Sequence, residues 1–230
     1  MHLTTSIPAI LIAVAAVATS TAASAQTGTW NFAVGASSDN RQRDISKSDG
    51  EASTWGRATW NSNNNGFYAQ AAYETLDMGG ADVGLAAYTG IRRSYAGYNI
   101  DLQASYKALI DADTNFDDDT FEVKADLTRT YGKTRTRLRA EYSPDGLGGT
   151  KEWVWVSAYA AQPITKSLAA SAEIGYRDQR NNISYTGYNA GMTYAVTSKT
   201  GIDLRWHGTD ASPRTQQYKD KFVVGVTHSF

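Results

Sequence analysis

The chain has 230 residues, a net charge of −1 and no cysteine. The near-neutral charge excludes a global basic field for nucleic acid. The missing cysteines exclude disulfides and thiolate metal sites.

Residues 7–18 form a short apolar core, followed by polar residues and by Ala23-Ser24-Ala25, an A-x-A cleavage pattern. The core is too short for a bilayer-spanning helix, which needs about 20 apolar residues. The expectation is a signal peptide at 1–25 and one mature domain at 26–230. No later stretch is apolar enough for a transmembrane helix. A transmembrane β-barrel shows the same average hydropathy, because only alternate residues meet lipid.

Two-residue alternation predicts about twelve strands in the mature chain: 28–37, 53–61, 67–76, 83–93, 97–107, 119–130, 133–143, 151–161, 167–177, 184–196, 200–208 and 221–230. The connections alternate in length. Those after odd strands are mostly long and polar (38–52, 77–82, 108–118, 144–150, 178–183, 209–220). Those after even strands are short, as at Asn65-Gly66 and Tyr131-Gly132. Long loops at one end and tight turns at the other predict an all-β fold, a transmembrane antiparallel up-and-down β-barrel of the outer membrane.

The faces follow from the alternation. Tyr98, Ile100, Leu102, Ala104 and Tyr106 are expected to meet lipid, with Asp101, Gln103, Ser105 and Lys107 in the lumen. Phe121, Val123, Ala125 and Leu127 face lipid, with Glu122, Lys124 and Asp126 inside. Ile202, Leu204 and Trp206 face lipid, with Asp203, Arg205 and His207 inside. A lipid-facing Arg or Lys at the midplane costs about 2–4 kcal/mol, so the charged side is the lumen. Trp30, Trp60, Phe67, Tyr142, Tyr176 and Tyr194 fall near strand ends on the lipid side, where aromatic girdles belong. In strand 151–161, Trp153 and Trp155 compete with Val154 and Val156 for the lipid face. The last strand alternates Phe222, Val224, Val226, His228 and Phe230 against Val223, Gly225, Thr227 and Ser229. Its final Phe resembles the signal by which outer-membrane barrels meet their assembly machinery.

The first long connection, Ser38-Asp39-Asn40-Arg41-Gln42-Arg43-Asp44-Ile45-Ser46-Lys47-Ser48-Asp49-Gly50, resembles the S-D-Y-R-F-R-G-I-S-Q-S-D-G segment of the proteobacterial TorF-type porins. Gly66-Phe67-Tyr68-Ala69 and the terminal Phe fit the same family. Asn40, Gln42, Asp44 and Lys47 stand where the family has Tyr, Phe, Gly and Gln. The resemblance implies an outer-membrane barrel of porin type and names no substrate.

Arg135, Arg137 and Arg139 place three guanidinium groups on one lumen face. They suit an arginine ladder for anionic solutes, since Arg binds carboxylate and phosphate bidentately. The structural alternative is pairing. A turn at Tyr131-Gly132 would set Asp126 opposite Arg137, Glu122 diagonal to Arg139 and Lys124 opposite Arg139. Asp203 and Arg205 complete the candidate lumen set.

Asp111, Asp113, Asn115, Asp117, Asp119 and Glu122 match EF-hand spacing, but Phe116 occupies the position that needs Gly. The flanks read as strands rather than helices, so the expectation is a solvated acidic connection that binds divalent ions loosely at most, and no metal site. His207 and His228 are the only histidines after residue 25, and neither has a nucleophile–base geometry in sequence. The expected function is passive diffusion of small hydrophilic solutes, with an anion bias and without catalysis or cofactor. The alternative is a plugged, receptor-like barrel working through its external loops. Expected partners are outer-membrane lipid, lipopolysaccharide and the barrel-assembly machinery.

Overall fold

The structure is a computed structural model that describes residues 28–212 and 214–230. The signal peptide expected at 1–25 lies outside the described residues. Strand β1 (Gly28–Ser37) leads into a small hairpin, β2 (Arg41–Gln42) and β3 (Ile45–Ser46). Eleven long strands follow: β4 (Ser53–Ser62), β5 (Phe67–Met78), β6 (Ala81–Tyr95), β7 (Tyr98–Ile110), β8 (Asp119–Tyr131), β9 (Thr134–Gly146), β10 (Lys151–Pro163), β11 (Leu168–Gln179), β12 (Tyr185–Ala195), β13 (Thr200–Thr209) and β14 (Lys221–Ser229).

The long strands pair antiparallel in chain order, and β1 closes against β14 from Ala33↔Ser229 to Ser37↔Gly225. The result is a closed twelve-strand barrel with no free edge. At about 3.3 Å per residue and a tilt near 40°, ten residues span roughly 25 Å, the height of an apolar bilayer band.

Exposure follows the alternation. Phe121, Val123 and Leu127 are exposed on the outside, while Thr120, Glu122, Asp126 and Thr128 are buried on the inside. Trp153 and Trp155 resolve to the lumen side, each 2% exposed, and Val154 and Val156 point outward. Backbone pairing puts Trp30 opposite Trp60 on the outer face.

Every expected long strand forms, with bounds mostly within two residues of the expectation. Two outer connections are tighter than expected. β5 and β6 run on until only Gly79-Gly80 separates them, and β9 runs to Gly146. At the opposite end the β8–β9 turn sits on Gly132-Lys133, with Gly132 at φ +60°. Only a residue without Cβ adopts that angle cheaply, and this moves the turn one position along from Tyr131-Gly132.

Candidate channel lumen

Eight strands give a barrel that side chains alone can fill, and sixteen leave a wide channel. At twelve strands the lumen depends on what enters it. Here the first long connection enters it. The β2–β3 hairpin turns inward, pairing Arg41↔Ser46 and Gln42↔Ile45. Asp39 organises it: its carboxylate accepts from Arg41 Nε at 2.7 Å, Ser46 Oγ at 2.5 Å and Ser48 Oγ at 3.0 Å.

The two turn residues, Arg43 and Asp44, have φ of +54° and +67°. Both central residues of a two-residue hairpin turn of this hand need positive φ, which non-glycine residues adopt at a cost. The wall offsets that cost. Arg43 Nη2 reaches Glu122 Oε2 at 2.8 Å and Glu141 Oε2 at 2.6 Å. Its guanidinium also lies 3.9 Å from the centre of the Trp153 ring. Burial works against the Arg43 charge, but Glu141 and Glu122 outweigh it and hold the group above its ordinary pKa. Asp44 Oδ1 accepts from Asn189 Nδ2 at 2.8 Å and lies 2.8 Å from His207 Nδ1. Gly187 makes room for this contact, since a Cβ there would sit 2.8 Å from Asp44 Oδ2. Where TorF-type porins carry Gly, this chain has Asp44, whose carboxylate anchors the hairpin tip to β12 and β13.

The rest of the hairpin is tied as closely. Lys47 pairs with Glu74 of β5, Asn40 Nδ2 donates to the same carboxylate at 2.8 Å, and Lys221 of β14 donates to the Gly50 carbonyl. The loop thus bridges the lumen from β5 through β8 and β9 to β12–β14. Towards the long-loop end it leaves a cavity of about 570 Å3, bordered by Arg43, Lys47, Trp153, Arg177, Gln179 and Tyr218.

Arg135, Arg137 and Arg139 share one face of β9, and their charges are answered unevenly. Arg139 meets Asp126 through two bonds, Nε–Oδ1 at 2.7 Å and Nη2–Oδ2 at 2.8 Å, with Glu141 Oε1 3.3 Å away. Arg137 Nη2 pairs with Glu173 Oε1 at 2.9 Å, and its guanidinium lies 4.9 Å from the Tyr159 ring centre. Arg135 makes no ion pair among the described residues and is exposed. The expected cross-strand register is corrected here. Arg139, not Arg137, faces Asp126; Thr128 faces Arg137; and Lys124 faces Glu141 rather than Arg139. The cause is the turn on Gly132-Lys133, which shifts β9 by two residues against β8.

Lys124 lies 3.7 Å from Asp126 Oδ2. Glu122 is committed to Arg43 and to Lys107 Nζ at 2.7 Å. Arg205 binds Asp203 at 3.0 Å, Asn189 at 2.8 Å and Ser171 at 2.9 Å.

The acidic loop does not converge. Asp117 pairs with Lys151 at 3.1 Å, Asp119 accepts from Tyr106 on the outer face at 2.6 Å, and Glu122 points into the lumen. Asp111 takes φ +58°, and the Phe116 ring packs between Gly79 and Gly148. Among the described residues, no three His, Cys, Asp or Glu side chains are grouped to hold a metal ion. His207 faces Asp44, and His228 Nδ1 lies 2.9 Å from Thr200 Oγ1.

The hairpin residues Asp39, Arg41, Arg43, Asp44 and Lys47 are site residues that sequence reading places in an external loop. One sequence signal bears on this, the single Ile45 in an otherwise polar loop; once Trp153 and Trp155 are known to face the lumen, they need something to cover them. In the structure Ile45 joins Trp153, Trp155, Tyr185 and Tyr218 in one buried cluster.

No family model and no curated protein matches this chain. Its fold is shared with solved structures at low identity. A KdgM porin superposes with a TM-score of 0.61 at 9% identity, over 87% of this chain and 99% of that one. An outer membrane channel from Pseudomonas putida F1 gives 0.56 at 11%, over 88% and 95%. A NanC porin gives 0.56 at 9%, over 87% and 99%. A further KdgM porin structure, described as in complex with disordered oligogalacturonate, gives 0.60 at 9%, over 87% and 99%. The fold of this chain is therefore the closed twelve-strand barrel of outer-membrane porins.

Proposed function

We propose that this protein is a porin-like channel of the bacterial outer membrane for small hydrophilic solutes, narrowed by its inserted first loop and biased towards anions. The observation that carries the reading is the contrast between the two faces of one closed barrel: apolar outside, charged and hydrogen-bonded inside. Arg135, exposed and outside any ion pair among the described residues, supports the anion bias. The oligogalacturonate complex named for one neighbour fits passage of acidic hydrophilic solutes. The first-loop segment supports kinship with TorF-type porins, because its Arg43-Asp44 turn takes the positive φ for which Gly is suited.

The outward aromatic residues suit contact with lipid and lipopolysaccharide. The 1–25 segment suits export, and the strand ending at Phe230 suits delivery by the barrel-assembly machinery. Single-channel conductance in planar bilayers tests the proposal, with reversal potentials across a salt gradient giving selectivity. Absence of ohmic steps from correctly folded protein overturns it. The plugged, receptor-like reading is favoured by one observation, the Arg43–Glu122–Glu141 anchor across the lumen. The same recordings separate the two.

A further inference from the structure

The cavity outside the hairpin is bordered by a buried cation with no carboxylate within ion-pair distance among the described residues. Arg177 projects inward from β11 between Trp155 and Tyr185 of the neighbouring strands, and the residue is 9% exposed. Its guanidinium lies 4.7 Å from the centre of the Trp153 ring, the ring that also carries Arg43 at 3.9 Å. Arg43 has two carboxylates; Arg177 has none within ion-pair distance among the described residues. Its Nε is buried without a hydrogen-bond partner. The adjacent Tyr185 hydroxyl donates to the Arg43 carbonyl at 2.9 Å and is a hydrogen-bond neighbour of Arg177, but it brings no carboxylate.

Other buried cations of this lumen are matched. Lys107 has Glu122, Lys47 has Glu74 and Arg139 has Asp126. A desolvated guanidinium left unpaired is costly, and an anion that arrives from solution removes that cost. Arg177 borders the 570 Å3 cavity, beside the amide side chains of Gln179, Asn182 and Gln216. A water's share of liquid volume is about 30 Å3, so the space suits a small organic acid rather than a lone halide. The acidic groups on the same cavity are Asp49 and Asp77, both exposed, and Glu122, held by Arg43 and Lys107. The exposed pair is solvated and screened; Arg177 lies in the drier part, where charge acts more strongly.

We propose that this outer vestibule is a binding site for an organic carboxylate, with Arg177 taking the carboxylate through its planar fork and the amides taking hydroxyl groups. It rests on the channel reading only for its role as an entry station. Binding itself needs no ion flow.

The test is calorimetric titration of the purified barrel in detergent micelles with citrate, and with glycerol as the uncharged control. Wild type should bind citrate saturably and glycerol not at all. Arg177→Gln should weaken citrate by about tenfold or more, the loss of one charge-assisted fork. Arg177→Lys, which keeps the cation and loses the fork, should bind several-fold more weakly than wild type. Heat-dependent gel mobility reports assembly of each variant. If Arg177→Gln does not assemble, wild type and Arg177→Lys decide. No saturable citrate binding by wild type up to about 10 mM overturns the site, as does equal affinity in the variants. Calcium binding in place of citrate also overturns it, since that would assign the vestibule to Asp49 and Asp77. A channel that fails to conduct yet binds citrate overturns only the channel reading.

Discussion

Asp126 and Arg139 face each other across β8 and β9, and two guanidinium nitrogens meet the two carboxylate oxygens at 2.7 and 2.8 Å. This side-on, two-bond fork is among the strongest geometries open to such a pair. It changes the meaning of the three-arginine strand. One arginine is neutralised by its direct neighbour, a second reaches Glu173 two strands away, and only the third stands open.

Removing Arg139 should therefore act on stability before it acts on conduction. Arg139→Gln leaves the buried Asp126 beside Lys124 alone. A hydrogen-bonded ion pair of this kind contributes about 1.5–3 kcal/mol. Urea unfolding of the reconstituted barrel should show that loss, and the double variant Asp126→Arg with Arg139→Asp should recover part of it. A single variant as stable as wild type would mean that the fork adds nothing to the sheet.

The lipid face gives a second, sharper contrast. Leu102 and Gln103 are adjacent on β7, but Leu102 is 50% exposed on the outside and Gln103 donates to the Tyr68 hydroxyl at 2.8 Å inside. Leu102→Arg puts a cation in the bilayer at about 2–4 kcal/mol and should sharply reduce folded barrel in the membrane. Gln103→Arg adds a charge to a lumen that already holds Lys124 and Asp101 and should assemble nearly as wild type. Equal yields on heat-dependent gel mobility would contradict the face assignment.

The inserted hairpin makes a size prediction. Replacing residues 40–49 by a short Gly-Ser linker removes Arg43, Asp44 and Lys47 from the lumen. Single-channel conductance should rise about two-fold or more, because charged side chains and backbone leave the lumen. Arg43→Ala should give a smaller rise and a shift towards cations, since Glu122 and Glu141 would lose the charge between them. Unchanged conductance after the deletion would show that the hairpin does not limit flow.

The contrast between wall and inserted hairpin also explains how much was legible in the sequence. Lipid demands apolar residues at every second position, so the number, most bounds and nearly all faces of the twelve barrel strands could be read from the alternation; only the 151–161 strand, with Trp153 and Trp155 against Val154 and Val156, left its face open. The hairpin obeys no such periodicity. Its anchors, Glu74, Glu122, Glu141, Asn189 and His207, lie on five strands spread over more than half the chain. A polar loop that binds its own barrel carries the same residue types as one that binds water. The ladder's pairing was missed for a smaller reason, the positive φ at Gly132, which relocates one turn and with it a whole cross-strand register.

That register sharpens the selectivity prediction. Reversal-potential measurements should show a wild-type channel that prefers anions and a neutral triple variant of Arg135, Arg137 and Arg139, with Gln at each position, that does not. The loss should not be shared equally. Arg139 is cancelled by Asp126 and Arg137 by Glu173, and both pairs survive as local dipoles rather than as net charge. Gln at either position releases its carboxylate, so each single variant should move selectivity towards cations by exposing an acid. Arg135 is exposed and makes no ion pair among the described residues, so Arg135→Gln removes a cation outright without freeing an acid. Local potential in a narrow lumen governs the ion count more than the whole-chain charge of −1 does. Arg135→Gln should lower anion preference on its own while leaving urea stability within about 0.5 kcal/mol of wild type, as for an unpaired surface charge. Arg139→Gln should lower both. A wild-type channel that prefers cations, or a triple variant with unaltered reversal potential, would leave these arginines as scaffolding for Asp126 and Glu173.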